Sequence, residues 1–96
     1  MKINQLKKKA LKAAGHNLKP VITIGINGLS ESLLSEFEKT IDHHELIKIR
    51  IRISDKSSRK ELIEELCIKS KSQIISAIGS TAIVFRKNPK SQKKFF

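Results

Sequence analysis

The sequence predicts an α+β domain: one N-terminal helix, then β-α-β-α-β-β, with the strands in a four-stranded mixed sheet. Three stretches carry that reading. Ile47, Ile49, Ile51 and Ile53 alternate with Lys48, Arg50, Arg52 and Ser54, the period-two pattern of a strand with one buried face. Lys19 to Ser30 reads as a short buried strand, a glycine-bracketed turn and a helix start. Gln73–Ile78 and Thr81–Arg86 read as two strands joined across Gly79 and Ser80 by a hairpin turn.

Taken in order, Leu6, Ala10, Ala13 and Ala14 fall on one face of a first helix, with Lys8, Lys9 and Lys12 opposite. Gly15 suits the left-handed position that ends such a helix. Pro20 opens the first strand, whose Val21, Ile22 and Ile24 suit a packed pleated surface. Ser30 is a good N-cap for a second helix, which runs to about His43 on a stripe of Leu33, Leu34, Phe37 and Ile41. Glu31 complements its dipole, and Leu29 is placed to staple onto Leu34. Asp55-Lys56-Ser57-Ser58 punctuates, and Leu62, Ile63, Leu66 and Cys67 define a third helix ending near Lys71. Both strand-helix-strand steps should be right-handed, which puts the later two helices on one sheet face and turns Lys48, Arg50 and Arg52 away from them.

The chain of 96 residues suffices for one domain, expected over residues 1–86 with a flexible basic tail over 87–96. Its net charge of +11 is unevenly spread. Residues 1–19 hold six lysines and no acid, residues 86–96 hold five bases and no acid, and the stretch between is balanced. Charge of this kind is the footprint of a nucleic-acid or anionic-surface binder. No apolar run is long enough to span a membrane and no signal peptide is evident, so a cytoplasmic address is expected. Cys67 is the single cysteine, which excludes an internal disulfide; it is expected to be a small buried residue on its helix. His16, His43 and His44 have no partner at metal-ligand spacing, and neither a metal nor any other cofactor is expected. No serine or cysteine has a histidine at recognisable spacing, and the glycine loop lacks the Lys-Ser/Thr of a nucleotide-binding loop. An enzyme is therefore the weakest reading.

The candidate binding residues follow from local chemistry. Gly25, Ile26, Asn27 and Gly28 precede a helix start at Ser30, where unpaired N–H groups and the helix dipole favour a phosphate. Lys48, Arg50 and Arg52 are like charges at two-residue spacing, which repel unless something negative lies across them. Tryptophan and tyrosine are absent, so the chain has no aromatic platform for stacking single-stranded bases.

Leu18-Lys19-Pro20-Val21, Ile24-Gly25-Ile26-Asn27-Gly28-Leu29-Ser30 and His44-Glu45-Leu46-Ile47-Lys48-Ile49-Arg50 together resemble the signature of the YhbY-like, or CRM-domain, RNA-binding proteins. Ile78-Gly79 with Ile83-Val84-Phe85-Arg86 is similar to that family's closing hairpin, and the likeness covers roughly residues 4–86. The resemblance implies a fold similar to the C-terminal domain of translation initiation factor three, with an extra N-terminal helix. It also implies binding to structured RNA and association with the precursor of the large ribosomal subunit during its maturation. It places RNA contacts at Gly25, Ile26, Asn27 and Gly28, with Lys19, Lys48 and Arg50 at usually basic positions. Ser30, Arg52 and Arg86 complete the expected contact set, and a monomer is the expected state. The competing reading is a general nucleic-acid-binding module driven by its basic termini.

Overall fold

The computed structural model describes residues 4–90. These form α1 (Gln5–His16), β1 (Pro20–Ile24), α2 (Glu31–His44), β2 (Leu46–Ile51), α3 (Lys56–Ser70), β3 (Gln73–Ile78) and β4 (Thr81–Phe85). The sheet order is β1-β2-β4-β3. β1 runs parallel to β2, while β4 lies antiparallel to both β2 and β3. The result is the mixed α+β architecture that the pattern predicts.

The period-two code of β2 divides the core into two layers, one on each face of the sheet. Ile47, Ile49 and Ile51 join Ile22 and Ile24 of β1, Val84 of β4, Phe37 and Ile41 of α2, and Ile63 and Leu66 of α3 in the main core. On the other face Leu46 joins Leu11 of α1, Ile75, Ile83 and Phe85 in a smaller cluster. The helices α2 and α3 therefore share one face and α1 crosses the other. β1 is less buried than expected: Ile22 and Ile24 are buried, but Val21 stays 52% exposed, because its face is the one that carries only α1.

The binding face of α1 differs from the expectation. Leu11 and Gly15 are buried, whereas Leu6 is 81% exposed and Ala13 and Ala14 face outward. Alanines bury little area, so one leucine and the glycine a turn later orient the helix. Gly15 is helical rather than left-handed. Its function is close approach, since a Cβ there would stand 2.6 Å from Ile83 Cγ2.

The ends of the elements are chemically specified. Asn4, Ser30 and Asp55 each accept a backbone N–H in the first turn of the helix they cap. The stretch Asp55–Ser58, expected as punctuation, is thus a cap followed by helix. Gly79, at φ +58, supplies the left-handed first position of the two-residue turn between Ile78 and Thr81. Lys71, a non-glycine at φ 56, closes α3, with Ser72 N–H donating to the Cys67 carbonyl at 2.9 Å. Cys67 lies buried on α3 as expected.

Residues 86–88 are held to the domain, although the sequence places the tail from residue 87. Arg86 N–H donates to the Glu45 carbonyl at 2.9 Å, and Asn88 N–H to Glu45 Oε2 at 2.7 Å. The Asn88 side chain donates to the Asp42 carbonyl. Glu45 is fully buried at the single-residue link between α2 and β2, with φ 63. The remainder of the expected tail, 91–96, with Phe95 and Phe96, lies outside the described residues.

Candidate nucleic-acid interface

The glycine loop leaves the C-terminal end of β1. Gly28 N–H donates to the Gly25 carbonyl at 3.0 Å, which closes a tight turn with Ile26 and Asn27 at its tip. Gly28 is required by its backbone, since its φ is +62. Gly25 is not: it is outside the left-handed region, and a Cβ built on it would meet nothing within 4 Å. Nothing in the described chain demands a glycine there. Ile26 at the tip is 94% exposed. The turn therefore presents bare backbone and one apolar side chain to solvent, an arrangement that admits a close approach from outside.

Helix α2 begins immediately beyond the loop. Ser30 is occupied as its cap, with Oγ accepting from Leu33 N–H at 3.2 Å. The first-turn amides give this end positive character, but Glu31 places a carboxylate in the same turn and offsets part of it.

The three strand cations divide by role. Arg52 N–H donates to the Ile24 carbonyl at 2.8 Å, which fixes the exit of β2 beside the start of the loop. Arg50 sits between Thr23 of β1 and Thr81 of β4, and is exposed. Lys48 is half-buried, and its Nζ donates to the His16 carbonyl at 2.8 Å, neutralising the end of α1. Arg50 and Arg52 therefore lie toward the loop end of the sheet, while Lys48 also serves the fold. Lys19 is exposed just before β1, at the far end of that strand from the loop.

Arg86 departs from the expected set. It follows β4 at the opposite end of the sheet, where Leu46 pairs with Phe85. Its guanidinium meets Glu38 at 2.8 Å and Asp42 at 3.7 Å, and donates to the Ser70 carbonyl at 2.9 Å. With a side chain only 21% exposed, it clamps the C-terminal ends of α2 and α3 together. Arg86 does not join the loop cluster, because an ion pair with α2 holds it elsewhere.

Two residues that hold the chain, one beside the loop and one at the far end of the sheet, had only faint sequence signals. Arg59 donates to the Ile53 and Ser54 carbonyls at 2.7 and 2.8 Å, bracing the chain just after Arg52. The Asp55-to-Arg59 spacing could have marked it, had the stretch been read as helix. Glu45 anchors the segment after β4, and its place in the His-Glu-Leu-Ile-Lys run was its only signal.

Burial pushes the Cys67 thiol up to about 11, so at neutral pH it is protonated and not nucleophilic. Among the described residues no cluster of three or more His, Cys, Asp or Glu side chains could hold a metal ion. No described helix is long and apolar enough to cross a membrane.

An exposed glycine turn between a strand and a capped helix, flanked by arginines on a mixed sheet with helices on both faces, defines a class of small α+β domains. Comparison with known proteins identifies the class more closely. A family model of the CRS1 / YhbY (CRM) domain matches residues 3–86, and the chain belongs to that family. It is 43% identical over 93 residues to a Pseudomonas aeruginosa protein named as a probable RNA-binding protein, covering 97% of this chain and 89% of that one. A Haemophilus influenzae protein named as an RNA-binding protein is 34% identical over 79 residues, 82% of this chain and 80% of the other. The solution structure of a hypothetical Staphylococcus aureus protein proposed to bind RNA superposes with a TM-score of 0.84 at 28% identity, covering 96% and 95% of the two chains.

Proposed function

We propose that this protein is an RNA-binding assembly factor that associates with the precursor of the large-subunit ribosomal RNA, acting by binding rather than by catalysis. The observation that carries the reading is Gly25: a glycine that neither backbone angle nor packing requires, beside a tip residue that is 94% exposed. The missing side chain becomes intelligible if a ligand backbone lies against it. RNA phosphates would approach the turn and the start of α2, and Arg50 and Arg52 would track the strand beside them. Such contacts fix position, so selectivity would come from RNA shape. The names of the relatives support RNA as the ligand class, and the family resemblance supports the ribosomal precursor. A cytoplasmic monomer is the working form of this proposal.

The test is sedimentation of lysate through sucrose gradients at low and moderate salt, following the wild type and Gly25→Asp. Co-migration with large-subunit precursors should survive moderate salt in the wild type. Asp at position 25 fits the open space but places a carboxylate in the phosphate path, and should release the protein to the top fractions. Equal release of both as salt rises would leave only general charge attraction and would overturn the assembly-factor reading.

A further inference from the structure

The outer edge of the sheet has no place in the RNA reading. β3 is an edge strand, and among the described residues it pairs with β4 alone. Between Ile74 and Ser76 its register shifts. As a result Ile74 and Ala77, opposite Val84 and Ala82, share the face of α2 and α3, while Ile75 packs with Leu11 on the face of α1.

Each face of this edge carries a groove. On the α3 side a groove of about 530 Å³ is lined by Ile63, Ile74 and Ala77 together with Lys56, Arg59, Lys60 and Glu64. On the α1 side a groove of about 480 Å³ is lined by Leu6, Lys8, Lys9, Lys12, Ile75 and Ser76. Both grooves carry three cations, and the α3 groove adds the larger apolar surface.

We propose that β3 docks an extended acidic peptide of a partner protein, which adds to the sheet as a strand beside it. An added strand lies about 4.8 Å from its neighbour and sends alternate side chains to opposite faces. Apolar side chains at every second position then seat on Ile74 and Ala77 beneath α3. The intervening carboxylates meet Lys8, Lys9 and Lys12. Backbone pairing supplies affinity, and the two grooves supply the alternating code. A second copy of this chain is the wrong occupant, since a chain of net charge +11 would bring like charge to the same lysines. RNA fits less well too, because an edge strand offers its pairing groups to another backbone and, among the described residues, neither groove contains an aromatic ring for a base.

The test uses the full chain labelled with nitrogen-15 and short synthetic peptides that alternate glutamate with valine or isoleucine, at about 150 mM salt. The expected result is saturable binding by anisotropy, with amide shifts concentrated in Gln73–Ile78. A peptide of the same composition with a central proline should bind at least about tenfold more weakly, since it cannot continue the ladder. Ala77→Glu, at an exposed position, should lose about tenfold or more while keeping the wild-type circular dichroism spectrum. Several results would overturn the proposal: no binding; equal binding of the proline peptide; shifts confined to Gly25–Gly28; concentration-dependent dimerisation through β3; or structured RNA shifting the β3 amides and displacing the peptide. The gradient experiment with Gly25→Asp is read without any peptide, so failure here is distinguishable from failure of the RNA reading.

Discussion

Gly15 and Lys71 are adjusted by tertiary position in opposite senses. Gly15 lets α1 lie on Ile83, where a methyl group would stand 2.6 Å from Cγ2. Gly15→Ala gains about 1 kcal/mol of helix propensity but overpacks by about 1–3 kcal/mol. A net loss of up to about 2 kcal/mol is expected in urea unfolding, with recovery in the double variant Gly15→Ala, Ile83→Val. Full stability of the single variant would mean that α1 shifts freely on the sheet. Lys71 holds a left-handed φ of 56 at a helix end where glycine has no Cβ penalty. Lys71→Gly should stabilise the protein by about 0.5–1 kcal/mol, read as a raised urea midpoint at unchanged m-value. Neither effect is visible along the chain, because both depend on a neighbour or a backbone angle rather than on residue type.

The start of α3 shows how a cap joins local sequence to acid sensitivity. Asp55 Oδ2 accepts from both the N–H and the Oγ of Ser58, and these bonds hold its carboxyl below the usual value of 3.8, with Arg59 contributing less. A depressed carboxyl contributes stability that is complete above its unfolded value near 4 and is lost as pH falls through the lower folded value. Asp55→Ala should therefore lower stability at neutral pH and flatten the decline of stability below about pH 4. Parallel wild-type and variant curves in that range would remove the cap from the account. The same element explains a boundary the sequence left short. Lys56-Ser57-Ser58 has loop composition but lies directly after a capping aspartate, and the cap prevails because Arg59 also ties the first turn to Ile53 and Ser54.

Across the whole molecule, the charge excess is divided among surfaces with different tasks. Arg86 and Lys87 face Glu38, Asp42 and Glu45, so part of the C-terminal charge is balanced within the fold. Arg50 and Arg52 remain exposed near the glycine loop. Replacing both by glutamate should weaken binding to structured RNA and reduce the slope of log affinity against log salt by about 1.5–2, if each neutralises one phosphate. Lys48→Glu is a poorer probe, because Lys48 also caps α1 through the His16 carbonyl. An unchanged salt slope in the Arg50, Arg52 variant would move the interface off this end of the sheet.

The sequence by itself determined the element order, the two-faced β2, the cap at Ser30 and the glycine turn. Each is encoded by neighbours in the chain: a period of two, an N-cap before an apolar stripe, a glycine at a positive φ. Tertiary structure decided which face of α1 is buried, why Gly15 and Gly25 are glycines for unlike reasons, and that Arg86 clamps helices instead of joining the loop. It also turned Lys87 and Asn88 from tail into strap through the buried Glu45. Those outcomes depend on groups far apart in sequence, Gly15 with Ile83, Arg86 with Glu38, and Asn88 with Glu45. Composition and periodicity specify which side chains can be buried or charged; only packing specifies which partner each one meets.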